Sequence, residues 1–155
     1  MSVSAAAVVP RGEIKSRLPD GSTIFSGELN AILLAFDYIQ SSDEEQFILF
    51  SDSLSSLQAI GGSDLSNPTV LTVIERYNDL LSCGKTLIFC WIPSHIGIPG
   101  NERADLAAKS ALDLPVSDIK VPSSDSKYII KRYCHNRGES IIDLPGRRYW
   151  SEVAR

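Results

Sequence analysis

The chain has three cysteines in 155 residues, an odd number, and Cys83, Cys90 and Cys134 do not stand at zinc-ligand spacing. That argues against a disulfide framework and a cysteine-built zinc site. It predicts reduced thiols in a reducing compartment, cytoplasm or nucleus. No apolar run is long enough to span a bilayer. Residues 2–9 are mildly apolar but lack a basic leader and are too short for a secretory signal, so a secreted product is not expected. Internal repeats and low-complexity tracts are absent. Net positive charge is lacking too: the formal charge is −4, so nothing global marks a nucleic-acid binder.

The charge is uneven. From Asp118 onward there are 8 Lys/Arg and 5 Asp/Glu, a net +3, which leaves −7 on the rest. An acidic body fits a carboxylate site awaiting a divalent metal, and fits a solvated surface equally well. The length suits one domain, and 43% hydrophobic with 22% charged residues is ordinary for a soluble α/β protein.

Small and β-branched residues predict a strand over 2–9, a turn at Pro10-Arg11-Gly12, and a second strand over 13–18 paired antiparallel with the first. Pro19-Asp20-Gly21 is turn chemistry. Ser26 is a plausible cap for a helix running to about Gln40, with Leu29, Ile32, Leu33, Phe36 and Ile39 on one face. Glu28 then falls in the first turn, where a helix welcomes an acid anyway. The dense run Phe47 to Phe50 predicts a central strand buried on both faces.

That strand ends in Ser51-Asp52-Ser53, followed by a helix from Ser53. Asp52 reads either as a helix cap or as a ligand at the carboxyl end of a sheet strand, where α/β proteins bind their ligands. Gly61-Gly62-Ser63 breaks the chain, and Asn67-Pro68 opens a helix that Cys83-Gly84 closes. Residues 87–92 form an apolar strand run with Trp91 near its end. A loop holding Pro93, His95 and Pro99 leads to Asn101, a candidate cap. Glu102 sits in the first turn of the next helix, which Ala104, Ala107, Ala108 and Ala111 line at helical spacing. Asp105 lies one turn in.

The order hairpin, helix, strand, helix, helix, strand, helix predicts an α/β fold, a mixed sheet flanked by helices. Glu28, Asp52 and Asp105 stand at helix and strand ends. Such a set permits binding of Mg²⁺, a hard ion that takes oxygen ligands, with Mn²⁺ as a substitute. Two such ions about 4 Å apart activate water and stabilise the leaving oxygen of a phosphodiester.

After Pro115 the pattern weakens, and residues 121–125 read as a linker. Lys127, Lys131, Arg132, Arg137, Arg147 and Arg148 alternate with Tyr128, Tyr133, Tyr149 and Trp150. That reads as a mobile connection, a partner-dependent helix, or a surface that tracks a nucleic-acid backbone. The expected division is a domain over 1–114 and a linker or basic, partly disordered tail over 115–155.

The run Trp91-Ile92-Pro93-Ser94-His95-Ile96-Gly97, then Pro99-Gly100-Asn101-Glu102-Arg103-Ala104-Asp105, resembles the last motif of type 1 ribonuclease H domains. The wording is closest to those of non-long-terminal-repeat retrotransposon polyproteins. The resemblance extends from about Ser2 to about Leu112 and implies a ribonuclease H-like fold. It also implies cleavage of the RNA strand of an RNA–DNA hybrid by Mg²⁺-assisted hydrolysis, with the 2′-hydroxyls sensed in the minor groove. A reverse transcriptase of the same polyprotein would be a partner; a membrane would not. Glu28, Asp52 and Asp105 match the family's metal-binding acids. His95 matches its mobile-loop histidine, which assists by proton transfer or hydrogen bonding. Ser53 and Asn101 would line the substrate groove.

The sequence departs from the family in two places. The family's first strand, central in its sheet, carries a fourth acid in a segment like Tyr/Thr-Asp-Gly-Ser. Here Asp20-Gly21-Ser22 spells the tripeptide, but it matches the loop leading into the Glu28 helix. Residues 2–9 and 13–18 match the family's second and third strands, so the first strand is expected to be lost upstream of Met1. Residues 128–130 are the only other candidate to fill that gap. The chain is therefore expected to be a truncated or decayed copy, or a reading frame begun at an internal methionine, with little activity alone. The basic protrusion that some members use to grip hybrid is also absent between Ile60 and Pro68.

Other functions stand beside the nuclease. They are a binding remnant with weak nucleic-acid affinity, an α/β protein-interaction domain, and a related nuclease or integrase.

Overall fold

The structure, a computed structural model, describes residues 2–63 and 65–137. The basic and aromatic residues expected to act at 147–150 lie outside the described residues. The described residues form four strands and five helices in the order β1 (Ser4–Val9), β2 (Gly12–Arg17), α1 (Ile24–Ser41), β3 (Gln46–Ser51), α2 (Leu54–Gly61), α3 (Pro68–Ser82), β4 (Thr86–Trp91), α4 (Pro99–Ala111) and α5 (Ser123–Asn136). Among the described residues no helix is long and apolar enough to cross a membrane.

The hairpin forms as expected, antiparallel from Ser4 opposite Arg17 to Val9 opposite Gly12. β3 and β4 pair in parallel, from Gln46 beside Thr86 to Ser51 beside Trp91, with α2 and α3 making the crossover that a parallel pair needs. The mixed α/β architecture flanked by helices is present. It is divided, however: β1–β2 and β3–β4 are separate two-stranded sheets, with no ladder from β1 to β3.

Helix α1 holds the two sheets together. Leu29, Ile32, Phe36 and Ile39 pack with Val70, Val73 and Leu80 of α3 and Leu87 of β4. Ala31 and Leu34, on another side of α1, lean on Val3, Ala5 and Leu18 around the hairpin. The approach to β1 is closest at Gly27, where a Cβ would come within 2.8 Å of Val3 Cγ1 and 3.1 Å of the Ser4 carbonyl oxygen. Only glycine fits there without a shift. Helix α4 covers the opposite face of the hairpin, and Ser4 Oγ donates to the Ala108 carbonyl at 2.6 Å. Arg103 Nε donates to Glu13 Oε1 at 2.8 Å, pinning α4 to β2.

Four sequence expectations need correction. β3 is buried on one face only: Phe47 and Leu49 pack into the core, while Ile48 and Phe50 are each 59% exposed. The reason is placement, since α1 and α3 cover one face and α4 lies over the hairpin instead. Helix α1 is capped by Thr23, not Ser26; Thr23 Oγ1 accepts from Ser26 N–H at 3.2 Å. Asn101 does not cap α4, which begins at Pro99 with Ile98 in the cap position. Proline suits the first helical residue because its missing N–H would have no partner there. Finally, residues 128–130 fill no gap as a strand, because they lie within α5.

Candidate active site

Moving the cap to Thr23 moves Glu28 into the second turn of α1, beyond the reach of the favourable end charge. The local explanation for an acid at this position therefore fails. Gly27, beside it, fixes its height by pressing α1 onto β1. Glu28 is half-buried, and its carboxyl is pushed from an ordinary 4.5 up to about 7. The largest cause is burial, followed by the negative charges of Asp52 and then Asp105. Three acids from α1, the end of β3 and α4 thus share one electrostatic neighbourhood.

Asp52 follows the last residue of β3. Its Oδ2 accepts from Asn101 Nδ2 at 3.0 Å, and its carbonyl accepts from Trp91 Nε1 at 3.3 Å. Ser53 stands in the cap position of α2 without a capping bond. Its backbone N–H reaches Ser51 Oγ at 3.2 Å, and its hydroxyl lies 2.8 Å from Ser56 Oγ. The helix-cap reading of Asp52 is not met, since its side chain is held by Asn101 rather than by the amides of α2.

His95 sits in the loop between β4 and α4 with φ 55°, a left-handed conformation rare outside glycine. Its ring is 76% exposed, and Nδ1 lies 3.5 Å from Asp105 Oδ2. The structure thus links the candidate residues in pairs, Asn101 to Asp52 and His95 to Asp105, around the shifted Glu28. Ser53 neighbours Asp52 in sequence, but its hydroxyl turns to other serines.

The donor chemistry fits a hard divalent cation, because oxygen ligands with unbalanced negative charge are what such an ion neutralises. A preformed cage is another matter: among the described residues no three His, Cys, Asp or Glu side chains stand close enough to hold a metal ion.

Two contributors were not read as such from the sequence. By sequence Trp91 reads as a strand-end residue, yet its indole N–H holds the Asp52 backbone. Asp125, 102 positions from Thr23, accepts from the N-cap of α1, and no local pattern announces a contact at that separation.

An α/β fold that sets acids of α1, the end of β3 and α4 in one electrostatic neighbourhood is in keeping with a domain of the ribonuclease H type. Residues 2–113 match the RNase H family, and the chain belongs to it. All six candidate residues lie within that match, and α5 lies beyond it. At family level this is ribonuclease H hydrolase activity, directed at RNA–DNA hybrids. No curated protein sequence matches the chain. Among solved structures, the chain is similar to RNase H1 from the halophilic archaeon Halobacterium salinarum NRC-1. Identity is 24% and TM-score 0.55, over 72% of this chain and 85% of that one. It is also similar to the N-terminal RNase H domain of rv2228c from Mycobacterium tuberculosis. There identity is 13% and TM-score 0.53, over 83% and 96% of the two chains. At such identities the likeness shows the fold.

Proposed function

We propose that this chain cleaves the RNA strand of RNA–DNA hybrids with Mg²⁺, or Mn²⁺ in its place, held by Glu28, Asp52 and Asp105. The reading is supported by the match of residues 2–113 to the RNase H family and by Glu28, Asp52 and Asp105 standing near enough for burial and the two neighbouring charges to raise the Glu28 carboxyl. An arrangement that destabilises its own charge favours a cation. When bound, the metal supplies an activated water and a counter-charge for the leaving oxygen. Asn101 orients Asp52 by its 3.0 Å hydrogen bond and lines the groove with Ser53. His95 turns Nδ1 towards Asp105 and leaves Nε2 to give or take a proton at the substrate.

The wording of residues 91–105 supports an origin in a retrotransposon polyprotein, with a reverse transcriptase as neighbour. Cys83, Cys90 and Cys134 are all free, in keeping with a reducing compartment, cytoplasm or nucleus.

A second reading is favoured by one observation: β1 and β3 share no ladder. In it the chain is catalytically impaired and keeps at most weak nucleic-acid binding. The experiment is cleavage of an end-labelled RNA–DNA hybrid with Mg²⁺, with Asp52→Asn alongside. Cleavage by the chain and not by the variant supports the nuclease. Retention of hybrid without cleavage by either supports the impaired form.

A further inference from the structure

Helix α5 lies outside the residues that match the RNase H family, yet its first turn reaches the start of the Glu28 helix. The link is Asp125, which is only 2% exposed. Its Oδ2 accepts from the Thr23 backbone N–H at 2.9 Å, and its Oδ1 accepts from Thr23 Oγ1 at 3.1 Å. Ser124 Oγ adds a longer contact of 3.4 Å to Oδ1.

Thr23 is the N-cap of α1, and its hydroxyl oxygen in turn accepts from Ser26 N–H. In a capping box, a Glu or Gln three residues on reaches back to the cap N–H. In α1 that position is Ser26, and the first turn carries no acid. The acceptor comes instead from another helix, 102 residues later. Asp125 is also in the first turn of α5. One carboxylate therefore stands at two helix N-termini, where both macrodipoles favour negative charge. That is how a buried aspartate is tolerated here: three donors and two helix ends replace its water.

Two further contacts seat α5 on the same spot. Gly21, at φ 97°, lies under Ile129 so closely that a Cβ would come within 2.5 Å of Ile129 Cδ1. Asn67, the N-cap of α3, donates from Nδ2 to Ser124 Oγ at 3.2 Å.

We infer that Asp125 is a positioning residue: by clasping Thr23 it holds the first turn of α1, and through that turn it sets Glu28. The role in metal binding rests on the reading of Glu28, Asp52 and Asp105 as ligands. The clasp itself does not.

The test uses the full chain with Asp125→Ala, Asp125→Asn, Thr23→Ala and the double variant Thr23→Ala/Asp125→Ala. Arg76→Ala is the stability control, since it releases a surface contact to Asp37 further along α1. Amide exchange at Ser26 and Gly27 is followed by NMR, with Val73 in α3 as internal reference. Mn²⁺ affinity is read from the free-ion EPR signal, well below each variant's melting temperature.

Asp125→Ala is expected to speed exchange at Ser26 and Gly27 at least tenfold relative to Val73, and to weaken Mn²⁺ about fivefold. Asp125→Asn should recover part of both. The effect of the double variant on exchange should fall short of the sum of the two single effects, because Thr23→Ala and Asp125→Ala remove the same Oγ1–Oδ1 bond, and Arg76→Ala should leave Mn²⁺ affinity unchanged. Unchanged exchange at Ser26 and Gly27 in Asp125→Ala overturns the clasp. Faster exchange with unchanged Mn²⁺ affinity overturns the positioning of Glu28. If the unsubstituted chain takes up no Mn²⁺, the metal reading of the site fails, and the exchange comparison alone decides the clasp.

Discussion

Asn101 Nδ2 lies 3.0 Å from Asp52 Oδ2, joining the start of α4 to the carboxyl end of β3 across 49 positions of sequence. The bond occupies one carboxylate oxygen and orients the other. Residues that orient a ligand acid typically carry a tenfold to hundredfold share of affinity or activity.

Asn101→Ala should therefore lower hybrid cleavage by about tenfold while costing no more than ~1.5 kcal/mol of stability, the ordinary worth of one partly exposed hydrogen bond. Steady-state kinetics beside a thermal melt separates the two effects. Equal kcat/KM in wild type and variant would remove Asn101 from the site.

Glu28 makes the metal-free chain pH-sensitive in a definite direction. Its folded pKa of about 7 lies above the ordinary 4.5, so between these values the folded state holds a proton that the unfolded state has released. The stabilisation is fully present below pH 4.5 and is lost as pH rises through 7. Its full extent is roughly 3 kcal/mol at the customary 1.36 per unit. Glu28→Gln should flatten this slope and raise stability at pH 8. Urea titrations in EDTA across pH 4.5 to 8 provide the check. A variant with the wild-type slope would sink this assignment.

Mg²⁺ should reverse that trend. A cation that takes the ionised carboxylates stabilises the folded chain more as Glu28 loses its proton. Melting temperature with Mg²⁺ minus that with EDTA should grow from pH 5.5 to pH 8, and Asp52→Asn should shrink the difference. A Mg²⁺ effect independent of pH would count against binding by Glu28.

Gly27→Ala sets two effects against each other. Alanine favours the helix by up to about 1 kcal/mol. The added methyl meets Val3 Cγ1 at 2.8 Å and the Ser4 carbonyl oxygen at 3.1 Å, and the second of these is backbone. Overpacking of this kind typically costs about 1–3 kcal/mol, so the net expectation is destabilisation. Because Glu28 is the next residue, Mg²⁺ affinity should fall as well. Denaturant unfolding and calorimetric Mg²⁺ titration test the pair of outcomes.

Arg103 belongs to the motif that resembles the family, yet it faces Glu13 at 2.8 Å rather than the acids. Both side chains are partly exposed, so a double-mutant cycle should give a coupling below about 1 kcal/mol that fades in high salt. Cleavage by Arg103→Ala should match wild type. A large kinetic defect would assign Arg103 to the substrate.

The hairpin, the strands β3 and β4 and the long helices were legible because their signals are local. Turn residues divide 2–18, Asn67-Pro68 marks the start of α3, and the spacing of Leu29, Ile32, Phe36 and Ile39 marks the buried face of α1. Cap positions were less legible. Thr23 and Ser26 are both good caps by chemistry, and the choice between them depended on where Asp125 stood. Asn101 likewise had two uses, a cap or a partner for Asp52, and Pro99 decided the first.

By itself the sequence determined the class of fold and the acids that residue spacing set at strand and helix ends. Periodicity, turn chemistry and a long run of uncommon residues are all written along the chain. Only the tertiary structure decided that Glu28 is half-buried beside two other charges. It alone decided that β3 has one bare face, that the two sheets remain apart, and that a helix beyond the family match closes on Thr23. The physical reason is the same in each case. Desolvation, face coverage and a buried hydrogen bond depend on which distant segments arrive at one place, and no window of sequence contains both partners.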